Sequence, residues 1–340
     1  MSSLIVEIVK IDKVEKHPYA DALDLIHIKG WQSITKINEF KENDVAVYFP
    51  LDSLLPEELS DAIGVTQYLS KGRVRAAKLR GVPSYGFCWP IEKFKEYVNN
   101  DIKYEVGDNV AELLGVTKWE PPIILNSMNR ERDHPEFFRY TDIENMRNYP
   151  DIIEEGEEVI ITEKIHGTNH RFGLIDSIFM AGTHNTRQKE NPNNKYWYVV
   201  NDNMKAMVNH FSDKYNQNII IYNEIFGFGI QDLQYGMKDI DFRCFDIRTK
   251  NRYLDWQEVK EACQQFDIKT VPVLYQGKFS FDKIKEIEEM KNTTINNGCN
   301  LMEGVVVKPL KERNDFRIGR VILKYVFDAY LNRKKGTEYH

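Results

Sequence analysis

From Leu4 to Trp89 the apolar residues come only in short bursts, and turn-forming residues close each burst. Val45-Ala46-Val47-Tyr48-Phe49 is the plainest, an unbroken apolar run with Asn43-Asp44 before it and Pro50 after it. Bursts this short cannot lay a long stripe along a helix, and β-branched and aromatic residues favour extended backbone. Segments at Leu4–Val9, Leu23–Ile28, Arg73–Leu79 and Tyr85–Trp89 give four more candidate strands, punctuated by Asn38, Gly72, Gly81 and Pro83. Five short strands in about a hundred residues predict a small closed barrel, since closure removes exposed strand edges. Asp61–Leu69 reads equally well as a helix or as an insertion.

The pattern changes after a low-regularity stretch from Thr117 to Ser127 that contains Pro121-Pro122 and is expected to be a linker. Beyond it, strands expected at Glu158–Glu163, Ile178–Gly182, Ile219–Ile225, Asp241–Ile247, Gly304–Lys308 and Arg320–Tyr325 alternate with longer helical patterns at Asn194–Tyr215, Trp256–Gln265 and Phe281–Met290. The chain is therefore expected to be α+β. Residues 1–118 would form a five-stranded barrel of the OB type, a common nucleic-acid-binding solution, and residues 119–340 a second domain with antiparallel sheets. A length of 340 residues suits two domains.

Composition narrows the class further. Hydrophobic residues make up 42% and charged residues 29%, enough apolar material for packed cores. No apolar run approaches the roughly 18 residues that span a bilayer, and Met1-Ser2-Ser3-Leu4 does not open a signal peptide. Cys88, Cys244, Cys263 and Cys299 lie far apart without CxxC pairing, which argues against a zinc cage or a disulfide framework and for a reducing, cytoplasmic setting. No membrane and no obligate protein partner are implied. The net charge of −6 hides two basic clusters. Lys71–Arg80 holds five basic residues and no acid, and residues 308–335 hold nine basic residues against Glu312, Asp315 and Asp328. Phosphate binding depends on local potential, so these clusters keep a nucleic-acid partner open.

The sharpest local string is Glu163-Lys164-Ile165-His166-Gly167-Thr168-Asn169, at the end of the apolar run Val159-Ile160-Ile161. A lysine leaving a strand into a glycine turn stands at the lip of a cleft, and only its neutral amine is a nucleophile. The pattern Lys-x-x-Gly alone is weak, because Lys78-Leu79-Arg80-Gly81 also satisfies it. The longer string resembles motif I of the covalent nucleotidyltransferases in its RNA-ligase form, with His166 where DNA ligases and capping enzymes carry Asp. Upstream, Phe138–Asn145 is similar to the segment that opens the catalytic domain of the RNA ligase 2 family, and downstream further elements follow in order: Arg187 of motif Ia, then Glu224-Ile225-Phe226-Gly227 of motif III. Asp241–Asp246 resembles motif IIIa, Glu303–Lys308 motif IV and Leu323-Lys324 motif V. His17-Pro18-x-Ala20-Asp21, Gly30-Trp31, Gly72–Arg75 and Lys78–Gly81 in the N-terminal part are similar to the OB-containing RNA ligase 5 group. The catalytic part is similar to the RNA ligase 2 family.

The resemblance implies an ATP-dependent RNA ligase with Mg²⁺ or Mn²⁺ as cofactor. Lys164 would take AMP, with His166, Lys308 and Lys324 as further catalytic residues. The nucleotide would be bound by Glu163, Ile165, Asn169, Arg187, Glu224, Phe242, Glu303, Lys308 and Lys324. Glu303 and Glu224 would be the metal carboxylates, with Glu224 alternatively on the ribose hydroxyls. Phe242 would lie against adenine, and Phe245 would belong to the core. Motif V ends in Val326 where the family has a second lysine. Either Lys324 acts alone or Arg320 on the same strand face supplies the charge. Arg73, Arg75, Lys78, Arg80, Arg187 and Arg320 are candidate RNA contacts. The expected partner is nicked duplex or tRNA-like RNA, with DNA as an alternative. The competing readings are a DNA ligase or capping-type nucleotidyltransferase, and a non-catalytic RNA-binding protein related to the tRNA-binding OB modules.

Overall fold

The computed structural model describes residues 4–99, 103–120 and 129–333. It divides into two compact units: Met1–Pro122 with Glu144–Pro150 and Asp328–His340, and Ile123–Ile143 with Asp151–Phe327. No helix among the described residues is long and apolar enough to cross a membrane.

In the first unit the strands form two antiparallel three-stranded sheets. One orders Glu7–Lys10, Val45–Phe49 and Phe87–Pro90, and the other orders Lys13–Lys16, Leu23–Ile28 and Trp31–Lys36. Leu23–Ile28 and Val45–Phe49 fall where their apolar runs placed them, while Lys13–Lys16 and Trp31–Lys36 are strands that polar residues concealed. The strand expected over Arg73–Leu79 is shorter, Ala77–Leu79, and makes a hairpin with Val82–Ser84. Asp61–Leu69 is divided between the helix Glu57–Ile63 and a single tight turn at Thr66–Tyr68. Val6, Ile8, Val47, Phe49, Trp89 and Phe94 build the core on which the helix Ile91–Val98 packs. Thr117–Lys118 pairs with Ser53–Leu54, and Pro121-Pro122 lies outside the described residues.

The second unit holds the longer elements. A six-stranded antiparallel sheet runs in the order Arg130–Glu131, Arg187–Gln188, Ile178–Gly182, Thr168–Ile175, Ile219–Gly227, Ile240–Thr249. One of its faces packs the helices Asp202–Tyr215 and Trp256–Gln265 through Met204, Met207, Phe211, Val259 and Cys263. A capping box joins Asp255 and Glu258 at the start of the second helix, worth about 1 kcal/mol. The single helix expected over Asn194–Tyr215 is two, because Asn194 and Asn201 each cap a fresh start with their side-chain oxygens.

In a second sheet Leu323–Val326, Gly304–Pro309, Glu158–Lys164 and Val273–Lys278 lie side by side. Its Val306, with Ile322 just before the strand Leu323–Val326, meets Tyr222 and Ile220 on the first sheet's other face and the loop residue Tyr140, so the two sheets close on each other there. The strand expected from Arg320 to Tyr325 is broken. Gly319–Arg320 pairs in a separate hairpin with Asn314–Asp315, and pairing resumes only at Leu323. Arg320 and Lys324 therefore do not share a strand.

Candidate active site

Lys164 ends the strand Glu158–Lys164, and the chain turns through Ile165-His166-Gly167 into Thr168–Ile175 of the six-stranded sheet. One short turn thus carries the lysine motif from one sheet to the other. Gly167 is required by space: a Cβ there would stand 2.2 Å from the carbonyl oxygen of Ile225 and 2.9 Å from Oε1 of Glu224. The missing side chain lets the turn lie against the strand that carries Glu224.

Gly304 stands opposite Lys164 in the neighbouring strand, and Glu303, just before it, takes the Lys164 ammonium in an ion pair. Glu303 is wholly buried and the Lys164 side chain is 12% exposed. His166 sits between two carboxylates. Its Nδ1 lies 3.4 Å from Glu303 Oε2 and its Nε2 lies 2.9 Å from Asp232 Oδ1. The backbone N–H of His166 donates to the hydroxyl of Tyr235 at 2.7 Å. Asp232 and Tyr235 were invisible in the sequence because they belong to the loop 228–239, which has no periodicity.

Glu224 and Asn169 are direct cross-strand neighbours and so project from one face. Burial pushes the Glu224 carboxyl up to about 8, with the Lys164 charge opposing and the Glu303 charge adding to the rise. The side-chain oxygen of Asn169 is buried without a hydrogen-bond donor. A carboxyl short of positive charge beside an acceptor short of a donor fits a ligand that brings a cation and hydroxyl groups. Mg²⁺ is held by one or two carboxylates plus phosphate oxygens, a donor set that Glu303 and Glu224 have the chemistry to supply. Beside them the Thr168 hydroxyl meets that of Tyr196 at 3.2 Å, and the Tyr196 ring stacks on His170.

Lys164, Lys308 and Lys324 project from the same sheet face. Lys308 stands opposite Ile160, and Lys324 stands opposite Val306, which faces Thr162. They are not side by side. Lys308 lies four positions along the strand from Gly304, about 13 Å at the usual rise. There it is buried with its Nζ 3.1 Å from Asp246 Oδ1. Arg320 binds the other oxygen of Asp246 at 2.6 Å and Glu312 at 2.6 Å, and its guanidinium lies 3.6 Å over the Tyr253 ring. The hydroxyl of Tyr140 donates to Asp246 at 2.7 Å. Burial alone would raise the Asp246 carboxyl, but Arg320 and then Lys308 outweigh it and hold it below the ordinary carboxylate range.

The remaining candidates are placed as follows. The Glu163 carboxylate points away from Lys164 and is held by the Thr293 and Thr294 hydroxyls and the Thr294 N–H. Ile165 packs in the core. Arg187 pairs with Glu131 at 2.9 Å. Phe242 packs against the helix-bearing core, while the Phe245 ring lies 4.8 Å from Tyr140 under the other face. In the first unit Arg73 pairs with Asp52 at 2.6 Å and lies 3.3 Å over the Trp119 ring. Arg75, Lys78 and Arg80 are exposed.

A family model described as RNA ligase matches residues 157–326, half of the chain, from the start of the Lys164 strand to the end of the Lys324 strand. The chain belongs to the RNA ligase family. An OB-fold domain model matches residues 5–91 of this RNA ligase, the span of both three-stranded sheets. Naegleria gruberi RNA ligase, as a point mutant with ATP and Mn, is 29% identical over 98% of this chain and 100% of its own, with a TM-score of 0.82. The same ligase with PPi is 29% identical over 98% and 99%, with a TM-score of 0.79. A further mutant with AMP and Mn is 29% identical over 96% and 97%, also at 0.79. Among curated proteins none matches this RNA ligase. The α+β architecture, an OB-fold part followed by a ligase part with antiparallel sheets, agrees with the expectation from sequence.

Proposed function

We propose that this RNA ligase uses ATP to join a 3′-OH to a 5′-phosphate at nicks in duplex RNA or RNA-containing duplexes, through lysyl–AMP and RNA–adenylate. The observation that carries the reading is the contact of Lys164 with buried Glu303, beside a Glu224 carboxyl raised to about 8. The similar Naegleria structures hold ATP, AMP, PPi and Mn, the substrate, both fragments and a metal of that reaction.

In the first step the neutral amine of Lys164 attacks the α-phosphorus of ATP. An N–P bond forms, the bond to the bridging oxygen breaks, and pyrophosphate leaves. The attack uses the lone pair of the amine, so the contact with Glu303 must open first. A divalent cation on Glu303 and Glu224 would weaken that hold and neutralise phosphate charge. Asn169, whose side-chain oxygen is buried without a donor, would accept a hydrogen bond from a ribose hydroxyl. The RNA 5′-phosphate then takes AMP from Lys164, and the 3′-OH attacks that phosphate and expels AMP. Negative charge grows on phosphate oxygens throughout, so Lys324 acts by electrostatics. Lys308 and Arg320, held by Asp246, keep the two sheets in register beneath that charge. Residues 1–118 would grip RNA and residues 119–340 would carry the chemistry.

Sealing assays on one nicked sequence made as all-RNA, RNA-on-DNA and all-DNA duplexes, with ATP or GTP, test this. The expected result is sealing of substrates with RNA at the 3′-OH side, with ATP only. Sealing of all-DNA nicks at an equal rate, or label taken from GTP alone, would replace the proposal with one of its competitors.

A further inference from the structure

Two N-terminal motifs that the catalytic centre does not use meet in the fold. His17, of His17-Pro18-Tyr19-Ala20-Asp21, donates from Nε2 to the carbonyl oxygen of Leu79, in Lys78-Leu79-Arg80-Gly81, at 3.1 Å. The same imidazole accepts the Tyr19 N–H at Nδ1, also at 3.1 Å. One buried ring therefore ties the loop bearing Tyr19 to the hairpin Ala77–Leu79 and Val82–Ser84. Arg80 and Gly81 form the turn with φ of 49° and 86°, the left-handed values that a two-residue hairpin turn of this twist needs. Arg80 thus sits at the tip.

The inner strand of the hairpin is anchored. Ser84 Oγ accepts the Ile34 N–H at 3.0 Å, and the Pro83 carbonyl accepts Gln32 Nε2 at 2.7 Å. The outer strand, Ala77-Lys78-Leu79, is exposed throughout. Lys78 and Arg80 have no carboxylate partner among the described residues, whereas Lys29 of the same unit is paired to Glu7 at 2.5 Å. Tyr19 is 72% exposed although its backbone is fixed by His17. The Tyr19 ring meets the His17 imidazole edge-on with centroids 6.4 Å apart and is otherwise open to solvent, and through His17 it is tied to the strand that carries Lys78. The chemistry of the patch fits a polyanion that also offers flat apolar faces.

We infer that the His17-latched loop and hairpin form a clamp for an unpaired RNA strand, with Tyr19 stacked on a base and Lys78 and Arg80 on its phosphates. The cations select a phosphate backbone and the ring selects an unstacked base. Within an A-form duplex each base face is covered by its neighbours, so Tyr19 would find nothing to stack on. An unpaired base leaves its face free, and such stacking is sequence-tolerant. This inference rests on the RNA ligase reading, which makes RNA the ligand.

The test uses the full chain without ATP or divalent metal, and measures anisotropy of a fluorescent single-stranded RNA and of the same sequence as a blunt duplex. The single strand is expected to bind more tightly. Tyr19→Ala should weaken single-strand binding by about 5–150-fold, the range known for losing one stacked base, and leave duplex binding within about twofold. Tyr19→Phe, which keeps the ring, should bind like the parent. Lys78→Ala with Arg80→Ala should flatten the salt dependence by about 1.4 in log K against log salt, since each phosphate neutralised on a single strand adds roughly 0.7 to that slope. Equal binding of single strand by Tyr19→Ala and parent overturns the clamp, as does an equal loss on duplex. In that case the patch faces something other than unpaired RNA, such as an acidic protein. Labelling by ATP is read separately in the same variants. Parent protein that clamps RNA but takes no label defeats the ligase reading alone, and labelled protein with an unchanged Tyr19→Ala defeats the clamp alone.

Discussion

Replacing Asp246 with alanine would strip the buried network under the site of its shared acceptor. The carboxylate is wholly buried and takes Lys308 at 3.1 Å, Arg320 at 2.6 Å and the Tyr140 hydroxyl at 2.7 Å. Arg320 would keep Glu312, but Lys308 would be left with Glu312 at 3.7 Å, too long for a good charge-assisted bond. Removing one partner of a buried ion pair costs about 3–5 kcal/mol, because the other charge stays desolvated. For a unit of roughly 200 residues that is a fall in melting temperature of about 6–20 °C. Since the Asp246 carboxyl lies below its ordinary range when folded, its contribution is present above the ordinary carboxylate pKa and is lost as pH falls through the folded value. Calorimetry at pH 7.5 on parent, Asp246→Ala and Lys78→Ala proteins gives the comparison, with Lys78→Ala expected within about 0.5 kcal/mol of the parent because Lys78 is exposed. If Asp246→Ala also melts within about 1 kcal/mol of the parent, the network does not hold the sheets, and Lys308 and Arg320 are free to serve as phosphate contacts.

Burial lowers the His170 imidazole to about 3, so it folds neutral, and its contribution to stability is full above its unfolded pKa near 6.5 and is lost as pH falls toward 3. At pH 5.5 the loss should be about 1.4 kcal/mol relative to pH 8, and His170→Gln should flatten that slope in urea titrations; an unchanged slope contradicts the assignment. Gly167→Ala would force a Cβ to within 2.2 Å of the Ile225 carbonyl and displace the turn after Lys164. Labelling by ATP should slow about 100-fold, as a shift of about 1 Å can cause, and a rate within about threefold of the parent would show that the turn yields freely. Asp232→Ala should slow labelling more than Asp232→Asn, which keeps a hydrogen bond to His166, whereas equal effects would leave the 2.9 Å contact without a positioning role.

Legibility in the sequence followed how local each cause was. Val45–Phe49, Ile178–Gly182 and Trp256–Gln265 were readable because their apolar patterns or caps lie within the segment itself. Thr168–Ile175 was not, because it carries Asn169, His170 and Arg171, residues that favour loops unless tertiary partners bury them. Those partners come from far along the chain: Asn223 lies 3.2 Å from His170, and Asp133 Oδ1 lies 3.1 Å from Arg171. Spacing alone placed Arg320 on the Lys324 strand, since nothing local marks the break between them; the Tyr140–Asp246–Glu312 cluster that takes its guanidinium is a tertiary feature. In the site, Lys164, Glu303 and Glu224 stand out as charged residues ending or following apolar runs. Asp246 sits in a motif string, but its role as acceptor for two cations required the fold.

The central claim is that the Lys164 amine becomes bonded to an adenylate. Intact mass spectrometry of the full chain after incubation with ATP and Mg²⁺, followed by peptide mapping, measures this directly. A mass increase of one AMP on the peptide containing Lys164, absent from Lys164→Ala protein and reversed by pyrophosphate, is the expected result. An adenylate on another residue, or one that persists in Lys164→Ala protein, would contradict the account.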